Sequence, residues 1–138
     1  MAAVLVDSNV LIDIATGNPK WAGPSQEALV REGGTRELVI NPVIFAEVSI
    51  SFDRIERVDE LLPRTVYRRE QIPWEAAFLA GKAFVAYRKQ GGERSSPLPD
   101  FLIGAHAAAR GYDLLTRDAR GFRRYFPTVT IISPETRA

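Results

Sequence analysis

Apolar residues in this chain gather into short uninterrupted runs, separated by longer stretches in which apolar and polar positions mix. Runs of strand length are Ala3 to Val6, Leu38 to Ile40, Thr65 to Tyr67, Tyr112 to Thr116 and Thr128 to Ile132. Short apolar runs without strict alternation suit strands buried on both faces, as in a parallel sheet. The mixed stretches carry helix punctuation. Asp7-Ser8-Asn9 offers capping side chains for a helix from Ser8 to Ala15, and Gly17-Asn18-Pro19 stops it. Pro24 to Arg31 reads as a second helix, closed by Gly33-Gly34. Asn41 caps and Pro42 opens a third, running through Phe52, and Asp53 to Leu62 is a fourth, broken by Pro63. Trp74 to Lys89 is the longest; Phe78, Leu79, Ala83 and Val85-Ala86 form no single stripe, so it is expected to pack on more than one side. Pro99 to Arg110, ended by Gly111, and Asp118 to Tyr125 complete the helices. Gly91 to Pro99 is expected to be a mobile loop, and the tail after Pro134 to fray.

Strands alternating with helices call for an α/β fold, an open, mainly parallel sheet covered on both faces, here as one domain over residues 1–138. Ligands of such sheets bind beyond the carboxyl ends of the strands, where the strand order switches. Asp7 follows the first strand and Asp118 the fourth, so adjacency of those strands would bring both carboxylates to one edge. Glu47 and Asp100 lie on two helices whose N-terminal turns could complete the pocket. Converging carboxylates repel: a like-charge pair at about 4 Å costs roughly 4 kcal/mol at an effective dielectric near 20. Such a set calls for a cation, and all-oxygen donors select Mg²⁺ or Mn²⁺ over zinc.

Composition narrows the setting. With 138 residues and 46% hydrophobic positions the chain is globular and able to bury a core. Cysteine is absent, which excludes disulfides and thiolate metal sites and fits a reducing, cytoplasmic home. The N-terminus lacks a basic region ahead of its apolar run, and no run is long enough for a bilayer, so neither a signal peptide nor a membrane segment is expected. Formal charge is only +1, yet 15 of the 18 cations are arginine, and Arg117, Arg120, Arg123 and Arg124 crowd around Asp118. Arginine's planar fork suits phosphate, so Arg117 and Arg120, at the strand-to-helix turn, are the expected substrate contacts. The plain alternative is a solvated face in an arginine-rich chain.

Each acid also has a plain role available: Asp7 and Asp118 as helix caps, Glu47 as the partner of an arginine, Asp100 as a favourable charge at a helix start. His106, the lone histidine, lies nearly two helical turns past Asp100 and reads as a packed or hydrogen-bonded structural residue. Asp13 and Asp113 read as solvent or helix-end residues, although Asp13 lies close along its helix to Asn9.

Four segments carry a resemblance: VLVDSNVLID at residues 4–13, NPVIFAEV at 41–48, PLPDFLIGAHAAARG at 97–111 and LLTRDARGFRRYFPTVTIISP at 114–134. In order and surroundings they resemble the PIN-domain ribonucleases, specifically the VapC-like toxins of VapBC-type toxin–antitoxin pairs. The resemblance implies a three-layer α/β/α sandwich with a five-stranded parallel sheet of order 3-2-1-4-5. It carries the catalytic acids onto Asp7, Glu47, Asp100 and Asp118, which bind Mg²⁺ or Mn²⁺ directly or through water, and it matches Asn9 and Thr116 as polar residues supporting them. It further implies RNA as substrate, a homodimer and a small protein antitoxin. For phosphodiester hydrolysis the residues suggest Asp7 and Asp100 as first ligands, Asp118 next, and Glu47 as a holder of water or as base.

The apolar residues Phe45, Val48, Ile50, Phe52, Ile55, Val58, Leu61 and Leu62 exceed what the core requires; part of this helical pair is expected to form an antitoxin groove, with the dimer seam on other helices. Two other classes are open. A haloacid-dehalogenase-like phosphatase also places an Asp after its first strand, but Asn9 stands where its motif needs a second acid. A non-catalytic RNA- or protein-binding module on a nuclease scaffold would not need the full acidic set.

Overall fold

A computed structural model describes residues 1–92 and 98–134. The chain runs β1 (Val4–Val6), α1 (Ser8–Ala15), α2 (Ala22–Gly33), β2 (Leu38–Ile40), α3 (Pro42–Ser49), α4 (Ile55–Leu61), β3 (Tyr67–Arg69), α5 (Trp74–Lys89), α6 (Leu98–Arg110), β4 (Asp113–Leu115), α7 (Ala119–Tyr125) and β5 (Ile131–Ile132). The strands form one parallel sheet of order β3-β2-β1-β4-β5. Because β1 is central, Val4, Leu5 and Val6 are fully buried, which is why its sequence has no polar position. Val4 pairs with Leu38 on one side and Asp113 on the other, so the carboxyl ends of β1, β2 and β4 share one edge. The order expected from the resemblance is the order observed.

Several boundaries move, each for a local reason. The third strand was expected at Thr65 to Tyr67, but the N–H groups of Val66 and Tyr67 both bond the Pro63 carbonyl, at 3.0 and 2.9 Å. That turn delays the strand to Tyr67 and leaves Val66 exposed. The last strand shortens because Val129 N–H closes a turn onto Phe126. The helix begun by Asn41 stops at Ser49: Ile50, Ser51 and Phe52 each bond three residues back, a tightening into 3₁₀ geometry. The second helix starts earlier than Pro24, because the Asn18 side chain accepts from the N–H groups of Lys20 and Trp21 just before it.

The longest helix, α5, corrects its expectation more fully. Only Ala76, Ala80 and Ala83 are buried, a small-residue stripe that lets α5 lie against α6. Trp74, Phe78 and Val85 face outward instead. Rings then lock α5, α6 and α7 together, with Phe101 5.7 Å from Tyr87 and 5.0 Å from Tyr125 between centroids. Gly104 makes room for this cluster, since a Cβ there would stand 2.4 Å from the Phe126 ring. The expected mobile loop at Gly91 to Pro99 falls largely on residues 93–97, and the frayed tail on residues 135–138, outside the described residues.

Of the residues expected to line an antitoxin groove, Val48, Val58 and Leu62 belong to the core. Phe45 and Ile55 instead line a cavity of about 500 Å³ with Arg64 and Arg69, and Leu61 borders a groove of about 630 Å³ between α2 and α4. Among the described residues no helix is long and apolar enough to cross a membrane.

Candidate metal centre

The parallel pairing of β1 and β4 continues one residue past β1, where Asp7 N–H bonds the Leu115 carbonyl at 2.9 Å. This places Asp7 at the sheet edge, where it also caps α1: its Oδ1 accepts from Ser8 N–H at 2.7 Å. The other oxygen, Oδ2, accepts from the Thr116 hydroxyl at 2.7 Å. Capping and site roles therefore coincide. Ser8 has its own task, because its hydroxyl donates to Glu47 Oε1 at 2.8 Å and ties α1 to α3. Asp100 enters from the first turn of α6.

One carboxylate oxygen each from Asp7, Glu47 and Asp100 lie within 4.8 Å of one another. The electrostatics record the crowding. Burial pushes the Asp7 carboxyl up to about 7, with Asp100 and Glu47 adding repulsion against the hydrogen bonds from Thr116 and Ser8. Burial likewise lifts Asp100 to about 6, helped by Glu47 and Asp118. Hydrogen bonds that favour a charged carboxylate do not offset these effects, so the cluster is short of positive charge. Oxygen-only, partly dehydrated and over-negative, it fits a divalent ion such as Mg²⁺ or Mn²⁺.

Asp118 does not join this set. It sits at the N-terminal end of α7, makes no cap bond, and its carboxylate folds back toward Gly121, where a Cβ would stand 3.1 Å from Oδ2. It shares a pocket of about 130 Å³ with Asp100, Phe101 and Tyr125, and so borders the site on the Asp100 side. Its backbone N–H reaches the Thr116 hydroxyl at 3.0 Å. Thr116 is thus fully buried between Asp7 and Asp118, and Asn9 Nδ2 approaches the same hydroxyl at 3.4 Å. Both supporting residues read from the sequence stand beside the acids.

The arginines divide differently from the expectation. Arg117 turns away from the carboxylates and pairs with Asp13, which is buried rather than solvated. Two of the donors of Arg117, expected to face phosphate, are thus taken up by Asp13. Arg120 is exposed and has no partner among the described residues, while Arg124 bonds Gln90 at 2.6 Å. Asp113, read as a solvent residue, pairs with Arg36.

His106 is structural, as expected, and the manner matters. Asn41 Oδ1 accepts from Ile44 N–H at 2.9 Å, so its amide nitrogen faces His106 Nδ1 at 3.0 Å and must donate. That leaves Nε2–H to donate to Glu70, which also accepts from Tyr112 at 2.7 Å and Arg68 at 2.8 Å. Burial holds His106 below the usual histidine range, consistent with this neutral form. Burial works against ionised Glu70, but its three donors overcome it and bring the carboxyl down to about 2.

The PIN-domain family model matches residues 4–126. The chain belongs to the PIN-domain family. Among solved structures, this PIN domain is similar to a chain of VapBC2 from Rickettsia felis bound to a promoter DNA fragment, with a TM-score of 0.73 at 14% identity, covering 96% of this chain and 99% of that one. DNA-bound VapBC from Salmonella typhimurium gives a TM-score of 0.70 at 20% identity, covering 96% and 98%. For VapBC-1 of nontypeable Haemophilus influenzae the values are 0.71 and 17%, covering 95% and 97%. At these identities the likeness establishes the fold. No curated protein matches the sequence of this PIN domain. Sequence reasoning missed the partners: Glu47 for Ser8, Arg117 for Asp13, and Asn41 and Glu70 for His106. A hydroxyl directly after Asp7 was the one local signal, and only the fold reveals that Glu47 is its partner.

Proposed function

We propose that this PIN domain is a Mg²⁺- or Mn²⁺-dependent endoribonuclease acting as the toxin of a type II pair held in check by a small protein antitoxin. PIN domains are nucleases, and the observation that carries the metal-dependent reading is the trio of carboxylate oxygens within 4.8 Å, two of their owners held well above the ordinary carboxylate range. Asp7, Glu47 and Asp100 hold the ion, with Asp118 at the border of the site. When bound, the ion supplies a positive clamp for phosphoryl oxygens and a more acidic attacking water. The chain's own residues do the rest. Thr116 and Ser8 fix the orientation of the Asp7 carboxylate by one bond to each oxygen, and Ser8 holds Glu47 by Oε1, leaving its second oxygen for the ion or for a proton. Asn9 holds the turn that carries Thr116 through its contacts with Thr116 and Arg117 N–H.

Purified protein is expected to cleave structured RNA with Mg²⁺ or Mn²⁺ and to stop with EDTA. Cleavage unaffected by EDTA contradicts the assignment. The phosphatase alternative gives way to the family membership and to Asn9, which leaves its motif one acid short.

Arg120 is the proposed substrate cation. On an Asp100→Asn background, Arg120→Ala should flatten the salt dependence of RNA binding by about 0.7 to 0.9 in log–log slope. Arg124→Ala should leave it unchanged, and equal slopes in the two variants would contradict this division and mean that the arginine grouping is compositional. The antitoxin reading draws on neighbours that are toxin–antitoxin complexes and on the apolar residues Phe45, Ile55 and Leu61 of α3 and α4. Crosslinks from a co-purified antitoxin should fall within residues 43–62; crosslinks confined elsewhere contradict it. A homodimer belongs to the same proposal and is read by light scattering, with a monomer as the contrary result.

A further inference from the structure

Asp13 is a buried carboxylate that the proposed chemistry leaves unused. It is 3% exposed and lies on α1, on the same helix that Asp7 caps. The Arg117 guanidinium meets it with two hydrogen bonds, Nε to Oδ2 at 2.7 Å and an Nη to Oδ1 at 3.1 Å. Trp21, at the start of α2, lies against the same guanidinium, 5.1 Å from ring centroid to the central carbon. The Arg117 backbone N–H adds a bond to Asn9 Oδ1 at 3.2 Å. Every described partner of Arg117 thus comes from α1 or the start of α2, whereas Arg117 itself sits in the turn between β4 and α7.

That turn is where precision matters. Thr116 and Asp118 flank Arg117; the Thr116 hydroxyl donates to Asp7, and Asp118 N–H donates to the same hydroxyl. Without the ion pair, the turn would be held to α1 by the Thr116–Asp7 bond at 2.7 Å, which fixes one point, and by the Asn9 contacts at 3.2 and 3.4 Å, the longer of which is at the limit of a hydrogen bond. A planar fork on a buried carboxylate fixes both distance and direction, which a single lysine bond does not. We propose that the Asp13–Arg117 pair, backed by Trp21, is a positioning device that locks the β4–α7 turn onto α1 and so sets the alignment of Asp7 and Asp118. Divalent-ion affinity then depends on two residues that never touch the ion. This rests on the reading of Asp7, Glu47 and Asp100 as the metal site.

The test uses the full chain with Mn²⁺ as probe, free Mn²⁺ being counted by electron paramagnetic resonance. Arg117→Lys keeps the charge and loses the fork; Asp13→Asn keeps the shape and loses the charge. Each should weaken Mn²⁺ binding about tenfold, the lower end of what supporting residues around a metal contribute. RNA affinity and its salt slope, measured in EDTA, should stay at native values. Should either single variant fail to fold, the double variant Asp13→Asn/Arg117→Gln, which buries no lone charge, replaces it and should show the same tenfold loss. Native Mn²⁺ affinity in all of these variants overturns the positioning role. Native Mn²⁺ affinity together with weaker RNA binding and a shallower slope overturns it in favour of a phosphate contact. Asp100→Asn separates the two levels: if the native chain takes up no more Mn²⁺ than Asp100→Asn, the metal site itself is wrong and the device falls with it.

Discussion

Asp100→Asn will lose RNA cleavage by about three orders of magnitude while, in EDTA at pH 8, melting above the native protein. The two effects have one cause. Asp100 shares its site with Glu47 and Asp118, and burial with their charge lifts its carboxyl to about 6; Asp7 is lifted to about 7. A carboxyl raised in the fold stabilises the metal-free protein fully below its unfolded value near 3.8, and this contribution is lost as pH rises through about 6 for Asp100 and about 7 for Asp7. At pH 8 the metal-free fold therefore carries repulsion that Asn removes, a gain of about 1–2 kcal/mol, or roughly 4–8 °C in Tm for a chain of this size. Asp7→Asn should behave alike, with less gain because an amide replaces the acceptor of the Thr116 and Ser8 bonds. Loss of activity follows because removing a charged ligand weakens the ion and misplaces what remains. Variants that keep full cleavage, or melt lower in EDTA, contradict the assigned site.

His106→Leu should lower stability by about 2–4 kcal/mol although it matches the buried side chain in size. Leucine leaves the Asn41 amide and one oxygen of Glu70 without their described donor or acceptor, inside a region the native ring keeps dry. The network also fixes a pH response of opposite sign to the carboxylates. Because burial depresses His106 in the fold, its contribution is present above the unfolded value near 6.5 and is lost as pH falls through the lower folded value. Glu70 acts in the same direction, its contribution being lost as pH falls from about 4.5 toward about 2. The groups facing the ring are Glu70, Arg68, Tyr112 and Arg110. Chemical unfolding from pH 5 to 8 should show the native protein losing stability relative to His106→Leu as pH falls; parallel profiles would mean that folding does not shift the ring's titration, and a relative gain that the ring is charged in the fold.

Much of the architecture was legible because burial leaves its mark on composition. Val4-Leu5-Val6 and Leu38-Val39-Ile40 have no polar position since helices cover both sheet faces, and Asp7-Ser8 and Asn41-Pro42 announce helix starts through capping chemistry. The same signals placed Asp7 at the end of β1 and Asp100 in the first turn of its helix. What escaped was set by contacts distant along the chain. Asp13 looked like a solvated acid on α1 until Arg117, 104 residues away, proved to be its partner. Glu47 needed Ser8, 39 residues away, and His106 needed Glu70 and Asn41. Strand edges at Thr65 and Thr128 were misjudged because β-branched residues there sit in turns closed by backbone bonds, a competition that propensity does not register.

Anomalous diffraction from crystals grown with Mn²⁺ tests the central claim most directly. The expected result is a peak among the carboxylates of Asp7, Glu47 and Asp100, at about 2.0–2.4 Å from at least two of their oxygens, and no such peak in Asp100→Asn crystals. A native crystal with no manganese there, or with the peak at the Arg64–Arg69 cavity or any other place, would contradict it.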